Sequence, residues 1–368
     1  MNHTTTILTE LRGFMNRESL NISQLSRMAG LNSGTVSSMI NGRKVMSVEQ
    51  LDRLTALMGL AEGYLYEEYF KEYLTEASPN WRRIRPFLYR CAEVGKLSCI
   101  QQTVDFLMDN LMYSSPLFEV AEDFFRSNKR EAAALLYEVI AESEQKQHSE
   151  RLAVCQYRLF MIRQGTDQEQ NYQAAIQFEP FVERLDEVEQ LDALKDLANT
   201  YRALRRWDKV EKTIKILEHK AKIYYFSEHQ QRVETPKNTN KPLFYYLAYT
   251  YLLHANIYGL RGDYEQALRY IHFCADLSWV KEDDQETQHW KTLFLDWAQA
   301  NTLMFRLFSG DIGVLPEYVD YVAPRKDEII LSLINIMEVA NRYDINVDDI
   351  IQRFEEDIKS ISIQPTAI

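Results

Sequence analysis

The sequence predicts an all-α chain built in two parts, a small head of short helices and a long body of helix pairs. Three observations carry this. The 368 residues include only 12 Gly and 9 Pro, about 6% against the roughly 12% of an average soluble chain, which argues against folds that spend these residues on hairpins and tight loops. Apolar side chains recur with helical spacing almost throughout, and strand-like alternation is nowhere sustained. Six glycines (Gly13, Gly30, Gly34, Gly42, Gly59, Gly63) fall in the first 63 residues, whereas the first proline is Pro79. The two parts are therefore constructed differently.

Within the head, Ile7, Leu8, Leu11, Phe14 and Met15 mark an amphipathic helix over 5–16. Two short helices follow in NISQLSRMAGLNSGTVSSMINGRK, residues 21–44. Asn21 is placed to cap the first, with Ile22, Leu25 and Met28 or Ala29 inward. Asn32 is placed to cap the second, with Val36 and Met39 inward. Gly30 ends the first helix in a left-handed turn, and Asn41-Gly42 ends the second. A further helix starts at Ser47, with Val48, Leu51, Leu54, Leu57 and Met58 apolar, and another is expected near Ala61.

Two helices of about eight residues joined by a Gly-containing turn make the helix-turn-helix plan. The string L-S-R-M-A-G-L-N-x3-V-S-x2-I-N-G-R-K, followed by a Ser-Val-x2-Leu helix, resembles the phage-repressor (XRE or Cro/C1-like) domain over about residues 5–67. That resemblance implies that the helix 33–41 enters the major groove of double-stranded DNA. Asn32, Ser33, Gly34, Thr35, Ser37 and Ser38 would then face the bases, with Asn41, Arg43 and Lys44 beside the phosphates. A solvated helix face is the alternative for the serines, and a solvated turn for Arg43 and Lys44. Related domains often carry Gln, Arg or Asn on this face, so small hydroxyls here imply modest direct readout, supplemented by water or DNA shape.

From Asn80 onward helices are expected at 80–94, 96–111, 117–127, 130–144, 149–164, 169–185, 189–205 and 208–228, with more beyond. A short echo runs through the body: LANTY (197–201), HANIY (254–258), QANTL (299–303) and VANRY (339–343). After HANIY, Ala255, Tyr258, Gly262, Tyr264 and Ala267 occupy the small, aromatic, turn, aromatic and small positions of a helix pair. Ala198, Tyr201, Trp207 and Val210 do likewise, and Ala121 with Ala133 more weakly. These pairs resemble degenerate tetratricopeptide-like repeats, which implies a right-handed superhelical array whose first helices line a concave groove. Asn199, Asn256, Asn301 and Asn341 would form a ladder along that groove, each amide offering a donor and an acceptor to an extended peptide backbone. Arg158 and Arg202 could add a carboxylate contact and Tyr246 an apolar wall, with a solvated face as the alternative. QRVETPKNTNKP (231–242) is expected to be a loop inside the array. Along 326–362, Ile329, Ile330, Leu333, Ile336, Met337 and Ala340 form a stripe that suits internal packing or a second copy of the chain.

Several function classes find no support. No signal peptide is visible in MNHTTTILTE. The apolar window 243–260 holds five tyrosines, His254 and Asn256, which suits a buried helix rather than a membrane span, and a cytoplasmic protein with no membrane partner is expected. Cys91, Cys99, Cys155 and Cys274 form no C-x-x-C pair and are expected as buried free thiols. The histidines show no zinc spacing, and nucleophile-elbow, Walker and dinucleotide motifs are absent, so no catalytic residue, metal or cofactor is assigned. The net charge of −12 conceals a head at +1, with six basic and five acidic residues up to position 63, on a body at −13. Counted by part, charge does not oppose a DNA-binding head.

The combination resembles the peptide-pheromone receptors of Gram-positive bacteria and their phages (the Rgg, PlcR, NprR and PrgX class). YLYEEYFKEYL and FLYRCAEVGKLSCIQQTVDFL within 64–111 look most like the AimR (arbitrium) receptors. That implies a homodimeric transcription regulator that binds promoter DNA and is switched by a short oligopeptide. The expected organisation is a DNA-binding domain at 1–67, a connector at 68–79, a peptide-sensing array at 80–325 and capping or dimerisation helices at 326–368. Two alternatives stay open: a regulator whose body binds only protein partners, and a sensor that sequesters a response regulator.

Overall fold

Every regular element among the described residues is helical. The computed structural model describes residues 6–75, 79–144, 149–228 and 239–362. Their contacts group the chain into two compact units, Met1–Arg163 and Gln164–Ile368.

The first unit begins with α1 (Ile7–Arg17), α2 (Ile22–Met28), α3 (Ser33–Ile40) and α4 (Val48–Leu57). Their starts follow from side-chain caps. Asn21 and Gln24 make a reciprocal capping box, Asn32 accepts from the Gly34 and Thr35 amides, and Ser47 pairs with Gln50 as Asn21 does with Gln24. Gly30 and Gly42 take left-handed backbone (φ 65° and 69°) at the ends of α2 and α3. Ile7, Leu11, Leu25, Val36, Met39, Leu51 and Leu54 close one small core. Ala29 is the inward residue at the end of α2, and Met28 is exposed. The helix expected near Ala61 starts later, because left-handed Gly59 and Gly63 keep that stretch in turns; α5 spans Tyr66–Tyr69 and continues as a wider turn through Leu74.

The head shares its unit with α6 (Trp81–Val94), α7 (Leu97–Met108), α8 (Ser114–Arg126), α9 (Arg130–Ser143) and α10 (Glu150–Ile162). Tyr66 and Tyr69 pack against Phe87 of α6. The Tyr69 hydroxyl donates to the Met46 carbonyl at 2.8 Å, and the Ile7 amide donates to Glu72 at 3.1 Å. Arg90 on α6 binds three carboxylates, with its Nε 2.8 Å from Asp52 on α4 and its other nitrogens on Glu62 and Glu93. Asp52 also accepts from the Tyr66 hydroxyl at 2.7 Å. Apolar burial and this charged network together anchor the head to α6.

The second unit contains α11 (Gln168–Phe178), α12 (Glu187–Ala203), α13 (Trp207–Glu228), α14 (Leu243–Leu260), α15 (Tyr264–Ala275), α16 (Gln285–Phe308), α17 (Leu315–Val322), α18 (Ile329–Tyr343), α19 (Asp348–Arg353) and α20 (Glu355–Ser362). From α11 to α17 each helix packs on its successor, the arrangement expected of stacked pairs. Ala198, Tyr201, Val210, Ala255 and Ala267 are buried at those contacts. Of the expected loop 231–242, residues 231–238 lie outside the described residues. Ile329, Leu333, Ile336 and Ala340 are buried with Val314, Val319 and Val322, so this part of the α18 stripe packs internally; Met337 is exposed. All four cysteines are free and buried.

Candidate functional site

In the head, α3 presents the face the sequence singled out. Asn32, Ser33 and Gly34 are exposed, Thr35, Ser37 and Ser38 are half-buried, and Asn41, Arg43 and Lys44 are exposed beyond the helix end. Position is fixed from behind: Arg12 of α1 donates to the Ile40 carbonyl at 2.8 Å, and Val36, Met39 and Ile40 are buried. Part of the polar capacity is already used. Ser38 Oγ donates to the Gly34 carbonyl at 2.8 Å, and Asn41 Nδ2 donates to Ser37 Oγ at 3.4 Å. Ser33, Thr35, Arg43 and Lys44 make no side-chain hydrogen bond or ion pair among the described residues. A short exposed helix with unengaged hydroxyls at its start and two cations just past its end can reach base edges through water and set cations on phosphates.

The second unit contains a two-lobed cavity. One lobe, of about 900 Å³, is bordered by the ends of α12, α14 and α16 and by α18, and the other, of about 450 Å³, runs on toward α17. Arg202, Asn256, Met304, Leu331 and Asn335 line both lobes, which therefore adjoin. The smaller lobe is largely apolar, with Leu252, Trp297, Tyr318 and Val322 in its wall. Close packing shapes the larger one, since a Cβ on Gly259 would meet the Phe305 ring at 2.3 Å.

This cavity gathers only some of the expected residues. Asn256 lines both lobes, and its amide has no partner among the described residues. Asn301 borders the smaller lobe, but its Nδ2 donates to the Trp297 carbonyl one turn back at 2.7 Å, which leaves mainly its acceptor available. Asn199 lies outside the lining, and its Oδ1 accepts from the Tyr249 hydroxyl, whose pKa burial pushes up to about 12. Asn341 is exposed and borders neither lobe. Tyr246 is a correction: it is fully buried, with its hydroxyl on Asp192 at 2.7 Å, because α14 is enclosed all round over residues 244–250. Arg158 is another, since it belongs to the first unit and is held by both oxygens of Glu122 at 3.0 and 3.3 Å. Arg202 does line the cavity and makes no ion pair among the described residues.

Residues the sequence reading missed complete the site. Asn335 borders both lobes beside exposed Leu331, and its only signal was a lone amide in the apolar run IILSLINIMEV. Arg205, Arg261 and Arg342 line the larger lobe. Arg261 is paired with Glu211, and Arg342 with Glu338 at 2.8 Å and with the Tyr264 hydroxyl at 2.9 Å. No group of metal-ligating side chains is found among the described residues, and no described helix is long and apolar enough to cross a membrane.

No family model and no curated protein matches the chain. Among solved structures it is similar to Bacillus thuringiensis PlcR, described in complex with the peptide PapR7 and DNA, at 12% identity over 92% of this chain and 100% of that one, with a TM-score of 0.33. An overlap this low leaves function to be argued from this chain's own residues.

Proposed function

We propose that this chain is a DNA-binding transcription regulator controlled by a short peptide held in the cavity of its second unit. On this reading it is not an enzyme, works in the cytoplasm as a homodimer, and is a peptide-pheromone receptor similar to the arbitrium type. The observation that carries the reading is a pairing within one chain: an exposed, capped helix with uncommitted Arg43 and Lys44 just past its C-terminal end, and a cavity bordered by an uncommitted amide at Asn256. A hydrogen-bonding amide between apolar walls suits a peptide backbone with side chains in pockets. Control then follows from population shift: peptide binds the DNA-competent or the incompetent arrangement better, and a few kcal/mol of preference suffices for a switch.

Selection of duplexes by the full-length chain from a random pool, followed by fluorescence anisotropy, tests the head. A preferred duplex should emerge, and Arg43→Ala and Lys44→Ala should each lower the slope of log K against log salt by about one. Absence of any selected duplex, or unchanged slopes in both variants, would refute the assignment. Retained DNA binding with no response to any peptide would favour a body that binds only proteins.

A further inference from the structure

The ends of the helices around the cavity differ in one respect. The helices α12, α14, α16 and α18 each end in a left-handed residue: Arg205, Gly262, Gly310 and Asp344, with φ between 53° and 98°. Gly, Asn and Asp are the residues that tolerate this backbone, and a long side chain there is strained. Arg205 (φ 56°) is the exception, although its turn is otherwise regular: its amide donates to the Arg202 carbonyl at 3.0 Å and the Arg206 amide to the Tyr201 carbonyl at 2.8 Å. A glycine would hold that turn at lower cost. What glycine cannot supply is a guanidinium, and the side chain of Arg205 joins Arg202 in the wall of the larger lobe.

Cavity charge is unbalanced in the same place. Arg261 and Arg342 are matched by Glu211 and Glu338. Arg202 and Arg205, both exposed where they border the lobe, make no ion pair among the described residues. The remaining acid of the lining, Glu328, is exposed at the rim of the smaller lobe. Two uncompensated guanidiniums on one turn present planar donor forks suited to a carboxylate, and the apolar lobe lies a short step away across Asn256.

We infer that the ligand is anionic where it meets Arg202 and Arg205: a short peptide whose carboxylate, at its C-terminus or on an acidic side chain, binds this pair while an apolar side chain enters the lobe of Trp297, Tyr318 and Leu331. The inference rests on the peptide reading above and deepens it. Strain at Arg205 is then offset by ligand contact, and removing it yields a variant that should fold at least as well.

The test uses the full-length chain and a positional-scanning hexapeptide library, made once with free C-terminal carboxylates and once as C-terminal amides, with retained peptides identified by mass spectrometry. Retention of the acids alone supports a C-terminal carboxylate. Retention from both sets, with Asp or Glu enriched at one position, supports an acidic side chain. Peptides retained without either preference overturn the inference and leave the peptide reading standing; no retained peptide overturns both. For a retained hexapeptide, Arg205→Gly and Arg202→Gln should each weaken binding at least about tenfold, the weight of a charge-assisted contact. Arg205→Gly should also keep or raise Tm, so a loss of binding is not a loss of fold. Unchanged affinity in Arg205→Gly would overturn the assignment of this residue.

Discussion

Replacing Gly259 with alanine separates two opposed effects whose sizes can be set from the structure. Gly259 lies near the end of α14 in ordinary helical backbone, so propensity alone favours Ala by about 1 kcal/mol. Packing opposes it. The new Cβ would sit 2.3 Å from Phe305 Cε1 and 2.9 Å from Cζ, well inside ordinary contact. Phe305 is 3% exposed and held among Ala255, Ala267 and Ala298, so the ring can move only toward the cavity it lines. Overpacking of this kind costs about 1–3 kcal/mol, and a net loss on the order of 1 kcal/mol is expected. Trp207, Trp279, Trp290 and Trp297 belong to the second unit, with only Trp81 in the first. Urea unfolding followed by Trp fluorescence therefore reports chiefly on the affected unit. In a Phe305→Leu background the clash is relieved, and the same Gly259→Ala change should become neutral or stabilising. An alanine that is stabilising in the parent chain, or that has the same effect in both backgrounds, would refute the close approach of α14 and α16.

Other contacts make equally direct claims. Arg12→Ala removes the donor to the Ile40 carbonyl and should cost about 1 kcal/mol, seen as faster hydrogen exchange in α3 while α14 is unchanged. Arg90→Ala leaves half-buried Asp52 without its cation and should destabilise the first unit by about 1–3 kcal/mol, measurable as increased proteolysis between α4 and α6. Glu218 is held down to a pKa of about 2 from the ordinary 4.5, first by its hydrogen bond to His254 and further by Lys222, against the opposing effect of burial. Because the folded value is the lower one, this stability is complete above pH 4.5 and is lost as pH falls toward 2, about 3 kcal/mol in all. Glu218→Gln should flatten acid unfolding in that window, and an unaltered acid profile would contradict the assignment.

The head was legible because its signals are local. Asn21, Asn32 and Ser47 mark helix starts, Gly30 and Gly42 mark ends, and none requires knowledge of distant contacts. The delayed start of α5 was missed because Gly59 and Gly63 act together on the stretch between them. Across the body, helix positions were readable from periodicity, but the face of a helix is readable only where one side is wet. In α14 apolar and aromatic residues surround the axis, so Tyr246 could not be told from a groove residue. Sequence placed the four asparagines of the echo in equivalent positions, yet Asn199 is claimed by Tyr249 and Asn301 by its own helix. Only partners fixed by tertiary packing left Asn256 uncommitted. Arg205 carried a signal that the reading passed over: a helix end without the Gly or Asp its neighbours use.

Control of DNA binding by peptide requires coupling between cavity and head, which one measurement addresses. For full-length chain, a selected duplex and a retained hexapeptide at fixed salt, Kd for DNA is determined with and without saturating peptide, and Kd for peptide with and without saturating DNA. The two ratios should be equal, as linkage requires, and differ from unity by at least about fivefold. A peptide that binds the cavity while leaving the DNA Kd unchanged would contradict such coupling.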